Sequence, residues 1–504
     1  MARHPLFPVV QRSLRIDRRT FLQGLAAGAS SSLLAACGAH PLAHAAAPGA
    51  FSALRARGAG KVVVVGGGLA GLAATYALVK AGADVVCYEG ATRSGGRVQT
   101  ARGLLGPGLL TEVGAEFIDS EHHTMRALAK ELGLGLVDTF TDHGLIDDTY
   151  VFGGRRFDDA ALKQAIAHAL PRIAADQASL PARYGYANPG PWTRLDSMPL
   201  AAYLDALGLD PWVRQLLDAC YVTEMGLDTA EQSALNFLGL VGTKPFNPVG
   251  TSDERYKIQG GNQRLVEALA TRAGARLQLG HKLVAIAPAG AGYRLSFARE
   301  QAATLEVQAD AVVLAMPFST LRHVQLDVEL PAVKRRAIDE LGYGTNAKLL
   351  MGFKARVWRQ DGYAGFFMGD RSLMDGWDDS ALQPGTAGGL TVFLGGREGL
   401  ALGTGSAASQ AESRLDALDG VFPGARAAYA GVAERKLWWA EPLIQGSYSC
   451  FKPGQYAAFH GAEAMPVGRL FFAGEHCAEA AQGYMEGAAA SGLAAAKAAL
   501  GALG

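Results

Sequence analysis

The stretch KVVVVGGGLAGLAATYALVKAGADVVCYEGATRSGGR, residues 61–97, decides the fold of this chain. It begins with an apolar, β-branched run that is typical of a buried parallel strand. A G-x-G-x-x-G turn follows at Gly66, Gly68 and Gly71. In such a turn the first glycine permits a tight bend, the second lets the backbone approach a pyrophosphate, and the third lets helix and strand pack closely.

The rest of this stretch completes a strand–turn–helix–strand unit. A helix over residues 69–81 would point the N–H groups of Leu69 and Ala70, and its positive dipole end, at the phosphates. A second strand over residues 84–88 delivers Glu89, where a carboxylate can accept hydrogen bonds from ribose hydroxyls. A lone glycine motif is weak in a chain with 64 glycines. Because every part arrives in order, the stretch predicts a dinucleotide site.

Length and charge limit the class of protein. With 504 residues the chain exceeds one ordinary core, so we expect two domains that can interleave. Lysine plus arginine equals aspartate plus glutamate, at 47 each. This balance offers no electrostatic case for binding nucleic acid, and no segment beyond the N-terminus is apolar enough to span a membrane.

The N-terminal residues 1–50 are set apart from the fold because they resemble an export signal. Arg18 and Arg19 lie in a DRRTFLQ stretch similar to a twin-arginine signal, which the Tat translocase recognises. Two processing sites at the end of this signal are compatible with the sequence. Cys37 closes a lipoprotein-like LAAC stretch and would carry a lipid anchor, whereas AHA at residues 43–45 resembles an ordinary cleavage site before Ala46. Either ending predicts a periplasmic protein.

The remaining cysteines do not form a metal or redox motif. They lack C-x-x-C spacing, so neither a zinc site nor a thioredoxin-like site is indicated, and we expect buried free thiols, with one disulfide left open. They are Cys87, Cys220, Cys450 and Cys477.

Further elements follow along the chain. After Glu89 a glycine-rich basic loop contains Gly96 and Arg97, so close to the first phosphate site that it favours a second contact to the pyrophosphate. We predict that Asn262 caps a helix. Residues 276–279 are expected to begin a β-meander, with further strands near 283–287, 293–297 and 305–307. One helix is expected to span residues 407–418. Lys348 lies in an otherwise apolar strand, where burying an ammonium is costly without a purpose.

The chain resembles the flavin-containing amine oxidase family, which includes monoamine, polyamine and L-amino-acid oxidases. The similarity is strongest over residues 61–132 and 438–495 and thin between 138 and 253. It implies a mixed α/β fold, in which a Rossmann-like FAD domain of the glutathione-reductase type is interleaved with a substrate domain of mixed sheet and helices. We expect the FAD domain at residues 60–137, 252–318 and 440–504, and the substrate domain at 138–251 and 319–439.

The resemblance also assigns roles to individual residues. Lys348 would hold water at flavin N5, where its charge suits the reaction with oxygen. Tyr448 and Tyr484 would form an aromatic cage over the flavin face that aligns the α-carbon of the amine. The cofactor-binding set it implies is Gly66, Gly68, Leu69, Ala70, Gly71, Glu89, Gly96, Arg97, Gly114, Ala115, Glu116, Val284, Glu475 and Met485.

Three positions depart from the family pattern. Ser447 stands where monoamine oxidases place the cysteine that links to the flavin, so we expect FAD to be non-covalent. Phe117 stands where L-amino-acid oxidases carry an arginine that clamps the substrate carboxylate, which favours an amine substrate. Glu116 could meet the distal ammonium of a diamine, or its carboxylate could face outward.

The resulting hypothesis is an FAD-dependent amine oxidase that uses oxygen and releases hydrogen peroxide. Two alternatives keep the fold: a periplasmic amine dehydrogenase that passes electrons to a cytochrome, and a desaturase-like oxidoreductase. The identity of the amine and the oligomeric state, including a homodimer, are not readable from the sequence.

Overall fold

The structure is a computed structural model that describes residues 60–503. The predictions made for residues 1–50 lie outside the described residues. The fold is mixed α/β, as expected. Within residues 60–503, no helix combines the length and the apolar character that crossing a membrane requires.

A five-stranded parallel sheet forms the centre of the nucleotide-binding part. Residues of the first strand alternate between its two faces: Val62 and Val64 pack in one core, and Val63 and Val65 pack in the other. Such a strand is buried on both sides, which explains its continuous apolar run. In spatial order the strands are Leu277–Gln278, Asp84–Tyr88, Lys61–Val65, Ala311–Leu314 and Leu470–Phe472.

Helices cover one face of this sheet and a β-meander covers the other. The helices Leu69–Lys80, Gln263–Ala273 and Met485–Leu503 share the first core. The meander consists of His281–Ala289, Gly292–Arg299 and Ala302–Ala309, with Gln325–Leu326 added at its edge. The prediction that residues 276–279 begin the meander is wrong, because Leu277 pairs in parallel with Cys87 and extends the central sheet.

The second large sheet has seven strands and carries Lys348 on the strand next to one edge. Lys348 lies in Ala347–Phe353, which is buried throughout because it has a neighbour on each side. In spatial order the strands are Tyr429–Leu437, Ala347–Phe353, Gly388–Leu394, Asp375–Asp378, Phe367–Gly369, Tyr150–Phe152 and Arg155–Phe157.

Helices between and beyond the two sheets complete the fold. The longest of the middle region, Pro211–Met225, ends at Gly226 in a left-handed conformation (φ +83°), which glycine adopts without strain. The predicted helix over 407–418 is two helices, Ala407–Glu412 and Leu415–Val421, separated by a turn at Ser413 and Arg414, where the Arg414 side chain donates to Ser372 O at 2.8 Å. The other α-helices are His123–Glu131, Asp159–Ile166, Leu170–Ala178, Thr193–Asp196, Leu200–Asp205, Ala234–Leu238, Phe318–Leu321, Ala332–Glu340, Val357–Gln360, Gly396–Ala401, Ala425–Ala428 and Gln455–Phe459.

Short elements join these layers. The short strand pairs are Thr100–Arg102 with Leu110–Glu112, Leu136–Asp138 with Tyr256–Ile258, and Gly242–Thr243 with Phe246–Asn247. Single 3₁₀ turns occur at Thr139–Thr141, Thr229–Glu231, Gly274–Arg276, Trp438–Ala440 and Glu475–Cys477. The cysteines at 87, 220, 450 and 477 are all buried and free, as expected.

Candidate active site

The three motif glycines differ in what surrounds them. A Cβ on Gly71 would overlap the Gly66 carbonyl oxygen, and one on Gly66 (φ +103°) would lie 2.5 Å from Ala315 O. A Cβ on Gly68 would meet nothing within 4 Å, because Gly68 lines a large cleft. The turn therefore keeps open a space beside the N-terminus of helix Leu69–Lys80, where a pyrophosphate can reach the backbone.

Glu89 lies at the end of the second strand and faces the same cleft. Its carboxylate accepts hydrogen bonds from the backbone N–H groups of Gly67, at 2.5 Å, and Ala91, at 2.7 Å. These bonds fix the carboxylate beside the glycine turn. The location suits the predicted contact with ribose hydroxyls.

The basic loop packs directly on the glycine turn. Gly95 N donates to Gly67 O at 2.8 Å, and a Cβ on Gly96 would lie 3.3 Å from Gly68 Cα. Arg97 donates to the carboxylate of Glu475 at 2.9 Å and to Ser447 O at 2.5 Å. The predicted phosphate contact of Arg97 stays a prediction, and its guanidinium already joins the glycine-rich and C-terminal parts of the site.

Glu475 is a buried carboxylate with several protein donors. Besides Arg97, it accepts hydrogen bonds from Ser449 Oγ at 2.7 Å and from Gly483 N at 3.0 Å. Burial alone would raise the pKa of Glu475, but the charge of Arg97 and these bonds outweigh burial and lower it. Glu475 is therefore ionised and holds the segments around Ser449 and Gly483 together. Its predicted contact with the ribityl chain is not tested.

Two backbone features suit the cofactor contacts predicted for Val284 and Met485, which stay predictions. In the pairing of the first two meander strands the register shifts between Leu283 and Ala285, so Val284 bulges out of the ladder and lines the cleft. Met485 begins the C-terminal helix and also lines the cleft, with N–H groups that no intrahelical acceptor uses.

The two predicted cage tyrosines are brought to the same helix end. Tyr448 donates its hydroxyl proton to Thr223 O, and Tyr484 donates to the carboxylate of the adjacent Glu224. Both rings line the cleft, and the His122 ring lies edge-on to Tyr484 with centroids 5.3 Å apart. Burial raises the pKa of both tyrosines well above the usual value, so both stay neutral.

Lys348 is held by a buried ion-pair network. Its Nζ donates to Glu112 O at 2.9 Å and to Glu116 Oε2 at 2.7 Å, while the other oxygen of Glu116 binds Lys257 Nζ at 2.6 Å. Glu116 is only 5% exposed, so the expectation that it could face outward is wrong. Its two oxygens are taken up by the two lysines rather than left for a distal ammonium.

Two further carboxyl groups flank this network. Burial raises the pKa of Asp379 to about 8, and the charge of Glu116 adds to this effect. Burial likewise raises the pKa of Glu112 to about 7, against the lowering effect of its bond from Asn262 N. Asn262 does not cap its helix as expected. Its amide donates to Ala115 O and Glu116 O instead and fixes the segment that follows Gly114.

Aromatic residues form the wall of the cleft beside Lys348. The Phe117 and Trp377 rings meet edge-on with centroids 5.6 Å apart, and Lys348 Nζ lies 5.0 Å from the centre of the Trp377 ring. Phe393 meets Trp377 at the same centroid distance. This wall is largely apolar, and an aromatic group therefore occupies the position predicted for a carboxylate clamp.

Ser447 and Cys450 are both engaged within the protein. Ser447 Oγ donates to Asn346 Oδ1 at 2.5 Å, and Ser447 N donates to Gly344 O at 2.8 Å. Cys450 is 2% exposed, and burial raises the pKa of its thiol. A neutral, buried thiol is a poor nucleophile, which disfavours Cys450 as a substitute point of attachment.

The structure adds Glu224, Lys257 and Trp377 to the site, none of which the sequence analysis selected. Lys257 carried a usable signal, since it is a lysine inside the short strand Tyr256–Ile258, much as Lys348 is in its own strand. Glu224 and Trp377 had no such signal. The cleft, which Glu224 and Trp377 line and Lys257 does not, has a volume of about 3230 Å³, enough for a dinucleotide together with a small substrate.

A family model described as "Flavin containing amine oxidoreductase" matches residues 69–500, and the chain belongs to this family. Membership implies a flavin cofactor. The residues fit FAD, because Gly68 leaves room where a pyrophosphate must approach and Glu89, Val284 and Met485 line the same cleft.

Individual relatives cover most of the chain at low identity. An amine oxidase [flavin-containing] of Danio rerio is 24% identical, over 86% of this chain and 84% of the relative. An L-amino acid dehydrogenase of Synechocystis sp. is 24% identical, over 88% of this chain and 95% of the relative. The solved structure of cyclohexylamine oxidase from Brevibacterium oxydans IH-35A matches with a TM-score of 0.76 at 23% identity, covering 88% of this chain and 99% of that one.

Proposed function

We propose that this protein is an exported FAD-dependent amine oxidase. A primary or secondary amine, of the monoamine or polyamine class, loses a hydride from its α-carbon to flavin N5. Water hydrolyses the resulting imine to an aldehyde with release of ammonia or a shorter amine. Oxygen takes the two electrons and, with two protons, becomes hydrogen peroxide.

The pair Tyr448 and Tyr484 is the observation that carries this proposal. Their hydroxyl groups donate to consecutive residues at one helix end, the carbonyl oxygen of Thr223 and the carboxylate of Glu224, so both tyrosines are anchored to the same short segment. Two neighbouring rings that face one cleft form a π-rich slot suited to an amine. Fixing both hydroxyls restricts how the rings turn and so restricts how a substrate is oriented.

The chain itself supplies binding, orientation and charge rather than a strong base. The tyrosines cannot act as bases because they are neutral and already donate their protons. Bound FAD supplies the hydride acceptor. The neutral form of the amine is the reactive one, because only it has no positive charge opposing hydride loss. Activity should therefore rise with pH as the substrate loses its proton.

Phe117 and its neighbours favour an amine over an amino acid. A substrate carboxylate needs a cationic partner in a dry cleft, and Phe117 packs against Trp377 where that partner would lie. Lys257, close to the Phe117 ring, is bound to Glu116. Because one relative is an L-amino acid dehydrogenase, amino acids belong in the substrate panel as the test of this point.

The decisive experiment is anaerobic titration of the purified holoenzyme with monoamines, diamines, polyamines and amino acids, followed by flavin absorbance. Bleaching by an amine supports the proposal, and a flavin that stays oxidised with every amine contradicts it. Peroxide formed per amine consumed then separates an oxidase, with a ratio near one, from a dehydrogenase that needs a cytochrome.

Two further parts of the proposal have their own tests. FAD is bound non-covalently, so acid precipitation should release it into the supernatant; flavin that remains with the pellet would contradict this. Export depends on the paired arginines, so replacing Arg18 and Arg19 with lysine should move the protein from the periplasmic to the cytoplasmic fraction.

A further inference from the structure

The ion-pair network at Lys348 contains an unusual balance of charge. Glu116 bridges two lysines, so a single carboxylate is shared between two ammonium groups. Burial would lower the pKa of Lys257, but the charge of Glu116 outweighs burial and raises it. Burial would likewise raise the pKa of Glu116, yet Lys257 and Lys348 together hold it low. All three groups are charged, and the network carries one net positive charge.

The neighbouring carboxyl groups cancel only part of this charge at neutral pH. Asp379, with a pKa near 8, is largely protonated, and Glu112, with a pKa near 7, is partly so. Asp379 has one oxygen that accepts from Thr391 Oγ1 at 2.8 Å and one buried oxygen without a hydrogen-bond partner, which suits a neutral group. Without Lys257, Glu116 would be paired with Lys348 alone, and this pair would carry no net charge.

The ammonium group of Lys348 can still donate a hydrogen bond into the cleft. Two of its three ammonium protons are bound by Glu112 O and Glu116, which leaves one for a group in the cleft that Lys348 lines. Lys257 does not need to reach the cleft to matter. It offsets the charge of Glu116 from behind, at the far oxygen.

We propose that Lys257 is a positioning and charge-setting residue: by pairing with Glu116, it preserves the positive charge that Lys348 presents to the flavin. This inference rests on the proposed function, in which Lys348 faces the flavin. It assigns a role to a lysine that is separated from the cleft by Glu116 and Phe117. This positive charge favours the reaction of the reduced flavin with oxygen, because negative charge develops on oxygen as it takes electrons.

Sulfite provides a readout that does not depend on turnover. Its sulfur lone pair forms a bond to N5 of an oxidised flavin, and the resulting negative charge spreads over the ring, where a nearby cation stabilises it. The adduct bleaches the flavin, so its dissociation constant can be measured by titrating the holoenzyme without substrate.

The parent protein and three variants have two net charges between them, and these charges predict an order of sulfite affinities. Lys257→Met leaves Glu116 and Lys348 with no net charge, so sulfite should bind at least about tenfold more weakly than to the parent protein. Lys257→Arg keeps the charge and should bind within about threefold. The double variant Lys257→Met/Glu116→Gln restores one net positive charge, carried by Lys348, and should recover most of the lost affinity.

The double variant separates charge from structure. If Lys257 only filled space or stabilised the fold, removing Glu116 as well would weaken sulfite binding further rather than restore it. Lys80→Met is the matched control, because Lys80 pairs with Glu131 and lies 5.3 Å from the Tyr76 ring, away from the cleft. It should bind sulfite like the parent protein.

The outcomes also distinguish this inference from the proposed function. If amines bleach the flavin but Lys257→Met binds sulfite normally, or if the double variant shows no recovery, the inference is overturned and the amine oxidase stands. If no amine bleaches the flavin, the proposed function is overturned and the inference with it.

Discussion

Gly68→Ala and Gly71→Ala should both weaken FAD binding, but only Gly71→Ala should also destabilise the fold. Gly68 has φ −73° and ψ −177°, an ordinary extended conformation, and an added methyl meets no protein atom within 4 Å. Alanine at 68 is therefore expected to leave the apoprotein folded, within about 0.5 kcal/mol of the parent free energy of unfolding. The methyl would nonetheless occupy the space through which a pyrophosphate reaches the backbone.

The magnitudes follow from what each methyl displaces. At Gly68 the loss of one hydrogen bond to a charged phosphate, about 1.5–3 kcal/mol, corresponds to roughly 10- to 100-fold weaker FAD binding. At Gly71 the methyl overlaps the Gly66 carbonyl oxygen and lies 3.2 Å from Ala315 Cβ, so strand and helix must separate. Such overpacking costs about 1–3 kcal/mol or more in stability.

Two measurements separate the variants. Quenching of flavin fluorescence on titrating FAD into apoprotein gives the dissociation constant, and urea unfolding of the apoprotein followed by circular dichroism gives the stability. Gly68→Ala should lose binding with an unchanged urea midpoint, and Gly71→Ala should lose both. A Gly68→Ala protein that binds FAD normally would refute the placement of the pyrophosphate, and one that unfolds early would refute the open space at this turn.

Three other variants are informative. Burial raises the pKa of Glu463 to about 7 from 4.5, so the folded state loses stability as pH rises from 4.5 to 7 and this carboxyl group ionises. Glu463→Gln should therefore be more stable than the parent by up to about 3 kcal/mol at pH 8.5. This gain should shrink at pH 5, and urea unfolding at the two pH values measures it. Tyr484→Phe keeps the ring but removes its hydrogen bond to the carboxylate of Glu224, so the ring is held less firmly and kcat/KM for the best amine should fall about tenfold or more. An unchanged value would remove the tyrosine from the proposed site. The parent protein should bind sulfite more weakly as pH rises through about 8, because Asp379 then ionises near Lys348 and adds negative charge. In Asp379→Asn the dissociation constant for sulfite should no longer rise in this pH range for that reason.

Features set by local sterics were readable from the sequence. The first strand, the glycine turn, the helix and the second strand were predicted to within a residue of Lys61–Val65, Leu69–Lys80 and Asp84–Tyr88. Each depends on residues close in the chain, through β-branched side chains, the turn glycines and the left-handed Gly82 (φ +78°) after the helix.

Features set by partners far along the chain were not readable in the same way. The strand at Leu277 looked like part of the following meander, but it pairs with Cys87, 190 residues earlier. The helical pattern over 407–418 gave no sign of the turn at Ser413 and Arg414 that divides the helix, where the Arg414 side chain donates to the distant Ser372 O. Periodicity reports which face of an element is apolar, and it does not report which element will cover that face.

The sequence by itself therefore determined the first strand–turn–helix–strand segment and predicted a dinucleotide cofactor, because that segment depends on side chains and glycines that lie close together in the chain. Tertiary structure alone decided the chemistry around Lys348. Glu116, Lys257 and Lys348 lie on three separate segments, and their charges balance only where the fold brings them within hydrogen-bonding distance. A buried charge is stable only with its partner in place, and that partner is chosen by the packing of the whole chain.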